Sequence, residues 1–539
     1  MKFLLVGAVL LTLGYCSAND PICEMEEGVC LDKRYAHPEC SKYYRCFSAG
    51  PNCTAYVFDC PDGLHFSPSQ NDCLNPVDAN CTDSTTPTPT DLTTQSTTTN
   101  ATETTSTTTP ETTTPSTTAP STTPAPGPDG VSAFSVSRSV DWHGGQGDVS
   151  FDTIGVNLGG CFKDGTTFEP GRAGVYFMSF SGGIPPRTPA NIKIRPTNFP
   201  NYPSTIYRES TTHEDHDMMY RNFLAEMADD AFLTYRAFEA TVSSHRLESS
   251  FSGFSLTDMF SDVQAFYVAR ENSFHEQGRI EMLRVFMDTG NNYNMSGREF
   301  VAPEAGVYYF FFGSGQEAGI DNRVALRSWE NALPETEAEL WVHSTSHNGL
   351  DMATRGTMLE LNAGQSVWVT LMENSVYSDA DINQIYFGGF LYKPRRGPSI
   401  AFAVHRTKSW QSVLLLDPVP FEEIEVNQGN AFDAGTNTVV IPTSGYYYIE
   451  LSVGTLPFKP LDVEMLVNGE PGNPINIGDP LASVIVRSSN HSHVASSGRS
   501  LVTHLQQNDV LRLRAMGSTG IFSDLDKQTT WMGFLLYED

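Results

Sequence analysis

The chain has 539 residues, and its 63 acidic against 33 basic side chains give a formal net charge of −30 at pH 7. This length exceeds what one hydrophobic core supports, so several domains are expected. The negative charge would repel phosphate backbones and so argues against nucleic acid as a partner. Cations, basic proteins and mineral surfaces are compatible with it, and the acidity can also serve only to keep an extracellular protein soluble.

The amino terminus has the three parts of a secretory signal. Lys2 precedes an apolar run from Phe3 to Leu13, and small residues ending at Ala18 follow. This order predicts export with cleavage after Ala18, so residues 1–18 are assigned as a signal peptide. Because no other stretch approaches 18 consecutive apolar residues, we expect a secreted, extracellular protein without a membrane span.

Residues 19–82 form a module that is dense in cysteine and in aromatic rings. Eight of the ten cysteines lie here: Cys23, Cys30, Cys40, Cys46, Cys53, Cys60, Cys73 and Cys81. In an exported chain this density predicts a disulfide framework that replaces a core too small to be stable alone. The module holds more rings than so small a core needs, so some should face solvent, where they can lie against the flat C–H faces of a sugar.

The spacing of six of these cysteines, with CSKYYRC at residues 40–46 and CPDGLHFSPSQNDC at residues 60–73, resembles the peritrophin-A type, or type-2, chitin-binding domain. The resemblance implies chitin as the ligand. It also implies disulfides that join Cys23 to Cys46, Cys40 to Cys81, and Cys60 to Cys73. Cys30 and Cys53 lie outside the family pattern, and since nothing else nearby needs them, we infer a fourth bridge between the two.

Seven residues of the module are candidates for contact with chitin: Tyr43, Tyr44, Tyr56, Phe58, Phe66, Asp72 and Asn75. Neighbouring strand residues lie on opposite faces, so Tyr43 and Tyr44 cannot both be inside, and we favour Tyr44 as the platform. Tyr56 and Phe58 share a face that is either surface or core. Phe66 follows a turn and fits a core position better. The two polar residues would supply hydrogen bonds to the sugar.

Residues 83–130 are almost wholly Thr, Ser and Pro, a composition that cannot build a hydrophobic core. It predicts an extended, mucin-like and O-glycosylated linker, which at roughly 3 Å per residue spans up to about 150 Å. Asn-x-Ser/Thr acceptors for N-glycosylation are assigned at Asn100, Asn294 and Asn490. Two further acceptors, Asn52 and Asn80, each precede a cysteine, which makes them poorer candidates.

From Val131 onward one pattern occurs three times, at a period of about 130 to 145 residues. Each copy has an opening Ala-Phe, an Asn or Asp turn with Gly, a proline before a glycine and an aromatic strand, and a closing Gly-Phe. The openings are at Ala133, Ala265 and Ala401, and the closings at Gly253, Gly389 and Gly533. Short alternating strands between turn signals predict a mainly β chain with three sandwich domains, at 131–257, 263–393 and 399–539.

The order of these features resembles the globular head domain of complement-1q and the related tumour-necrosis-factor jelly roll. The first copy is divergent, because an extra residue separates Pro170 from Gly174. The resemblance implies association in threes, but the chain has no Gly-x-y collagen repeat. Only about eight residues separate successive copies, a reach of roughly 25 to 29 Å. We therefore hypothesise that the three heads of one chain form an intrachain pseudo-trimer.

The first copy holds two features that the other copies lack. Cys161 is an odd cysteine, which is either a buried thiol or a partner in an interchain bridge. The HEDHD segment at His213–Asp217 is either a divalent metal site or a solvated acidic loop. We assign no metal ligands and expect no cofactor, although the acidic balance permits calcium.

The two resemblances together predict a binding protein that anchors head domains to a chitinous extracellular matrix such as a cuticle, shell, egg coat or peritrophic matrix. The alternative is a soluble innate-immune lectin that recognises chitin and microbial surfaces. Family chitinases carry an Asp-x-x-Asp-x-Asp-x-Glu run, and since nothing in this sequence matches it, an enzyme is not expected. The ligand of the heads does not follow from the sequence, because such domains present variable loops on a fixed sandwich.

Overall fold

A computed structural model describes the strands of residues 25–74 and most of residues 130–539. In the second range, the residues outside the description are 186–188, 198–204, 210–216, 239–241, 245–246, 317–319, 331–332, 344–349, 413–414, 474–475, 488–493 and 517–518. The chain divides into two units, residues 1–118 and 119–539. Each unit is described by itself.

The first unit contains seven short strands. They are β1 (Met25–Glu26), β2 (Val29–Cys30), β3 (Arg34–Ala36), β4 (Lys42–Ala49), β5 (Asn52–Asp59), β6 (His65–Ser67) and β7 (Asp72–Leu74). A three-stranded antiparallel sheet has the order β3-β4-β5, and the pairs β1–β2 and β6–β7 form two smaller sheets.

The second unit begins with a sandwich of two antiparallel sheets. Its strands are β8 (Ala133–Ser137), β9 (Gly147–Asp148), β10 (Thr153–Leu158), β11 (Phe162–Lys163), β12 (Thr167–Phe168), β13 (Gly174–Ile184), β14 (Pro189–Thr197), β15 (Thr205–Glu209), β16 (Asp217–Met227), β17 (Phe232–Ala237) and β18 (Ser250–Ser255). One sheet has the order β10-β8-β18-β13-β16. The other has the order β11-β12-β17-β14-β15, with β9 beside β17.

The second sandwich repeats this order after the short helix α1 (Leu256–Met259). Its strands are β19 (Ala265–Arg270), β20 (Gly278–Arg279), β21 (Arg284–Asp288), β22 (Tyr293–Asn294), β23 (Glu299–Val301), β24 (Gly306–Gln316), β25 (Asp321–Glu330), β26 (Leu333–His343), β27 (Asp351–Leu361), β28 (Ser366–Glu373) and β29 (Ile385–Tyr392). The sheets have the orders β21-β19-β29-β24-β27 and β22-β23-β28-β25-β26, with β20 beside β28.

The third sandwich has the same arrangement with one added strand pair. Its strands are β30 (Ala401–Arg406), β31 (Trp410–Ser412), β32 (Glu423–Gln428), β33 (Phe432–Asp433), β34 (Thr438–Val440), β35 (Gly445–Thr455), β36 (Pro460–Val467), β37 (Asp479–Arg487), β38 (Ala495–Leu505), β39 (Val510–Ala515), β40 (Thr519–Phe522) and β41 (Thr529–Glu538). The order β32-β30-β41-β35-β38 matches the first sheet of the other sandwiches, and β31 and β40 extend it beside β35. The prediction of a mainly β chain with three sandwiches is confirmed.

In all three copies the side chain of the turn Asn or Asp forms hydrogen bonds with the backbone four or five residues further along the chain. In the first, the side chain of Asn157 accepts a hydrogen bond from the Phe162 amide and donates one to the Phe162 carbonyl, both at 2.9 Å. Asn427 holds Phe432 in the same way in the third copy. In the second copy the carboxylate of Asp288 can only accept, and its two oxygens accept hydrogen bonds from the successive backbone amides of Asn292 and Tyr293. The side chain therefore closes each turn by satisfying backbone groups that the ladder leaves free.

The long central strands β24 and β35 are buried on both faces, which explains their continuous apolar sequence. In β24, Tyr308, Phe310 and Phe312 belong to the core of the second sandwich. The alternate residues Tyr309 and Phe311 belong to another cluster, which contains the first core and side chains of all three sandwiches. The period of two along a strand thus divides its side chains between a private core and a shared one.

Cys161 lies in the core of the first sandwich, with 3% of its surface exposed, and its thiol is free. Burial raises the pKa of this thiol to about 12, which keeps it protonated and unreactive at neutral pH. The buried-thiol interpretation of the odd cysteine therefore fits the structure, and an interchain bridge through Cys161 does not.

Candidate functional site

The register of the first unit sorts the candidate aromatic residues into two groups. Tyr44 of β4 is paired with Tyr35, whereas Tyr43 is paired with Phe58 of β5. Residues paired across an antiparallel ladder lie on the same face, and so do residues two apart along a strand. Tyr43, Tyr56 and Phe58 therefore share one face of the three-stranded sheet, and Tyr44 belongs to the opposite face.

Two other candidates of this module belong to a separate hairpin and not to that sheet. Phe66 and Asp72 are in the β6–β7 hairpin, where Phe66 is paired with Cys73 and Asp72 with Ser67. Asn75 lies outside the described residues. The side chains of the eight cysteines do so as well, and the four disulfides stay predictions.

The three sandwiches of the second unit contact one another in a cyclic order through the sheets that contain β13, β24 and β35, which we call the inner sheets. Strand β16 of the first sandwich lies against β19, β21 and β24 of the second. Strand β27 of the second lies against the inner sheet of the third, and β38 of the third lies against that of the first. The order closes on itself, so the three interfaces are related by an approximate threefold axis.

Two triangles of aromatic rings lie where the inner sheets meet. Phe177, Tyr309 and Tyr448 occupy equivalent positions, and their ring centroids are 5.4, 5.2 and 5.8 Å apart, with each pair edge to face. Their partners across the ladder form the second triangle: Phe254, Phe390 and Phe534, with centroids 6.2, 6.2 and 6.0 Å apart. This edge-to-face geometry is the favoured one for aromatic pairs, and it contributes about 0.5–1.5 kcal/mol per pair beyond burial.

A buried carboxylate breaks the symmetry beside the first triangle. Two residues beyond the triangle position, the three strands carry Ser179, Phe311 and Glu450. Glu450 is 1% exposed, and its Oε2 accepts hydrogen bonds from the hydroxyls of Tyr448 and Tyr309, the latter at 2.8 Å. The Asn222 amide of the first sandwich donates a third, at 3.1 Å. Burial raises the pKa of Glu450, and these donors oppose the shift. One carboxylate thus joins all three sandwiches.

Three arginines, Arg221, Arg355 and Arg499, occupy the same position on β16, β27 and β38. Each is paired with the seventh residue of the adjacent strand in its own inner sheet, which is β13, β24 or β35. Arg221 donates to the carbonyls of Ile382 and Asn383 in the second sandwich, at 3.1 and 2.9 Å. Arg355 binds the equivalent loop of the third sandwich through the carbonyls of Lys527 and Gln528. Asn383 and Lys527 both have positive φ, of 52° and 59°. Each arginine therefore satisfies carbonyls that a left-handed turn directs at the interface.

The third interface, between β38 and the first sandwich, is built differently. Leu247 has a similar positive φ, of 62°. Among the described residues, however, Nη1 of the buried Arg499 has no hydrogen-bond partner, unlike Nη1 of Arg221 and of Arg355. The next residue is Glu248, where the other two loops have glutamine. Burial raises the pKa of Glu248 to about 8, against the opposing charge of Arg499, and lowers the pKa of Arg499 to about 10. This interface replaces carbonyl contacts by a buried pair of ionisable groups.

Glycines permit the closest approaches between sandwiches. A Cβ on Gly356 of β27 would lie 2.2 Å from Oε1 of Glu450, and one on Gly498 of β38 would lie 2.6 Å from Cε1 of Tyr220. Neither glycine has a positive φ, so it is the space at the interface and not the backbone conformation that requires them.

The remaining sequence candidates are only partly described. Of the HEDHD segment, only Asp217 lies in the described part, where it begins β16 and is buried. Among the described residues no group of three or more His, Cys, Asp and Glu is placed to hold a metal ion. Asn294 is exposed, and its Oδ1 accepts bonds from Ser296 and Gly297. Asn100 and Asn490 lie outside the description. No described helix has the length and apolar character to cross a membrane.

Sequence reasoning missed Glu450 and the three arginines. A signal for the arginines was present, because Arg221, Arg355 and Arg499 each lie four residues beyond the first residue of the corresponding strand. A charged residue that recurs at one position of an otherwise buried strand indicates a partner outside its own sheet. No such signal exists for Glu450, because its equivalents are serine and phenylalanine.

Comparisons with known proteins identify two kinds of domain. Residues 29–81 match the family model of the chitin binding Peritrophin-A domain, and residues 265–392 and 401–536 each match that of the C1q domain. The first sandwich has the same sheet order without a match of its own. Both families are typically non-catalytic binding modules of extracellular proteins.

Relatives and solved structures are similar to single heads. Over 136 residues the chain is 28% identical to Complement C1q tumor necrosis factor-related protein 6 of Mus musculus, covering 24% of this chain and 49% of that protein. It is 22% identical over 139 residues to Heavy metal-binding protein HIP of Mytilus edulis, covering 26% and 61%. The globular domain of zebrafish complement 1qA is covered completely, at 18% identity, 26% of this chain and a TM-score of 0.21. The chain thus spans about half the length of the first relatives.

Replacing Glu450 tests its part at the interface. Glu450→Ala leaves two tyrosine hydroxyls and an amide without their acceptor in a buried region, so we expect a loss of about 3 kcal/mol or more in the free energy of unfolding. Glu450→Gln keeps the volume and one acceptor and should cost less. Guanidinium denaturation followed by tryptophan fluorescence measures both. Equal stability of Glu450→Ala and the unmodified protein would contradict the assignment.

Glu248 makes stability depend on pH. A carboxyl whose pKa is raised from 4.5 to about 8 in the folded state stabilises the fold fully below pH 4.5, and this contribution is lost as pH rises through 8. The loss is a few kcal/mol, since each pKa unit corresponds to about 1.4 kcal/mol. We expect Glu248→Gln to flatten the dependence of melting temperature on pH between 5 and 8.5. Glu360→Gln, at an exposed position of β27, is the control and should leave the slope unchanged.

Proposed function

Because the chain carries a chitin binding Peritrophin-A domain and C1q domains, we propose that it is a secreted, non-enzymatic protein that binds chitin at its amino end. In this proposal the second unit presents three C1q-like heads as one trimer, built from a single chain. A Thr- and Pro-rich, O-glycosylated spacer holds the heads at a distance from a chitinous extracellular matrix. The closed cyclic order of the sandwich contacts is the observation that carries the single-chain trimer.

The complementarity of the three sandwiches supports this trimer. Glu450 of the third sandwich accepts hydrogen bonds from Tyr309 of the second and Asn222 of the first. Three identical heads would instead bring three copies of one residue to the axis, and three buried carboxylates would repel one another. The heads therefore fit one another in one order, and the covalent connections of a single chain supply that order.

The chitin site of this proposal is the sheet face that contains Tyr43, Tyr56 and Phe58. The register groups these three aromatic residues, whereas Tyr44 belongs to the other face. Successive rings on one face can lie against successive sugars of a neutral, linear polymer, where each contributes apolar contact area at a small cost in entropy. Asp72, Asn75 and Phe66 then support the fold or contact the rim of the sugar chain.

Chitin pull-down of the intact protein tests this function. We expect retention on insoluble chitin, with about tenfold weaker binding after Tyr43→Ala or Tyr56→Ala, because each removes one stacked ring. Tyr44→Ala is the matched control and should bind normally. A loss confined to Tyr44→Ala would move the site to the other face and leave the function intact. An unmodified, correctly oxidised protein that elutes like albumin would contradict chitin binding.

Analytical ultracentrifugation tests the single-chain trimer. We expect one chain per particle and a compact second unit. Gly356→Val places a side chain where Oε1 of Glu450 lies, so it should separate two sandwiches and lower the sedimentation coefficient. Glu360→Val, which adds the same side chain to an exposed position of the same strand, should sediment like the unmodified protein. An obligate assembly of three chains would contradict the proposal.

A further inference from the structure

A cavity of about 130 Å³ lies where the first and third sandwiches meet the two segments that connect the sandwiches. The first sandwich contributes Arg172, and the segment that leads to the second contributes Asp258. Arg395 and Arg396 come from the segment between the second and third sandwiches, and Tyr537 comes from the last strand. Residues distant in the sequence thus line one concave site.

Hydrogen bonds hold the backbone of Arg172 and the side chain of Arg395 in place. The Tyr176 hydroxyl donates a hydrogen bond to the carbonyl of Arg172 at 2.9 Å, which fixes the backbone of this residue. Arg395 donates from Nη2 to the carbonyls of Thr257 and Phe260, at 2.9 and 3.1 Å, and its Nη1 forms no such bond. Donors that are held before a ligand arrives lose less entropy when they bind it.

The charges at this cavity do not balance. Three guanidinium groups line it together with one carboxylate, that of Asp258, whose side chain is 4% exposed and lies 3.4 Å from Nη1 of Arg172. Within the described part of the chain, no carboxylate forms an ion pair with Arg395 or Arg396. The site therefore carries an excess of positive charge on a protein whose net charge is −30. Such an excess in a concave site favours an anion.

We propose that this cavity binds an oxyanion, namely a sulfate, phosphate or carboxylate group, through Arg172, Arg395 and Arg396. Guanidinium groups match the planar and tetrahedral oxygens of such groups with paired hydrogen bonds. The volume is below the 300 Å³ or so of sites that enclose whole organic ligands, so it suits a free ion or the one acidic group of a larger glycan. The proposal rests on the single-chain trimer, because the lining comes together only when the first and third sandwiches and both connecting segments are in contact.

Thermal shift of the intact protein tests the site with sodium sulfate and with glucuronate, at ionic strength held constant with sodium chloride. A ligand that binds the folded state raises the melting temperature in a saturable manner. Both probes should do so, whereas the neutral sugar glucose should not. Stronger binding of glucuronate indicates the acidic group of a glycan as the natural occupant, and stronger binding of sulfate indicates a free ion or a sulfate ester.

Arg396→Gln is the decisive variant, because Arg396 is exposed and no bond within the described part of the protein depends on it. It should weaken sulfate binding about tenfold, since a hydrogen bond between charged groups is lost. Lys408→Gln removes one positive charge at another exposed position and should change nothing. No saturable shift, or equal losses in the two variants, would overturn the proposal. Sedimentation of the same samples shows whether the trimer is intact, which separates a failure of the site from a failure of the trimer.

Discussion

The carboxylate of Glu450 is the interaction on which the arrangement of the three heads depends. It is buried among aromatic rings, where an ionised group is tolerated only if its hydrogen bonds are satisfied. Its donors come from three different sandwiches. The equivalent positions in the other two sandwiches hold Ser179 and Phe311, so these three positions carry one carboxylate, one small hydroxyl and one aromatic ring. The symmetry of the backbone is approximately threefold, whereas the side chains at the positions of Ser179, Phe311 and Glu450 do not follow it.

The aromatic triangles and the arginines show what the repeats retain in common. Phe254, Phe390 and Phe534 are identical in type and preserve the edge-to-face geometry in all three pairs. The three arginines are identical too, yet among the described residues only Arg221 and Arg355 donate to carbonyls of the neighbouring sandwich. Apolar packing tolerates small differences between copies because it is non-directional, whereas a buried guanidinium needs acceptors at defined positions. Divergence between the copies therefore appears first among the polar contacts.

Much of the fold follows from the sequence, and little of the interface does. The repeated Ala-Phe openings, the side-chain turns at Asn157 and Asn427, and the alternation of apolar residues predict three sandwiches. The continuous apolar run of β24 indicates burial on both faces. The alternation of side chains along a strand does not, however, identify which surface covers the face that points away from the core of its own sandwich. Which side chains meet across copies, such as Tyr309 and Glu450, depends on a relative placement that local patterns do not encode. The arginine cavity is harder still, because its lining comes from five separate segments.

A trimer made from one chain differs from a trimer of chains in its valency for chitin. Three chains would bring three chitin-binding modules to one set of heads, and their combined avidity would exceed the affinity of one module by orders of magnitude. In the proposed single-chain trimer one module serves three heads, so attachment to chitin would be as strong and as reversible as that of the module alone. A single chain leaves one of the three interfaces without covalent support, because the first and third sandwiches have no direct connection along the chain. That interface is where Arg499 and Glu248 replace the carbonyl contacts of the other two. The interface without a covalent connection is thus the one whose buried arginine is paired differently from the other two.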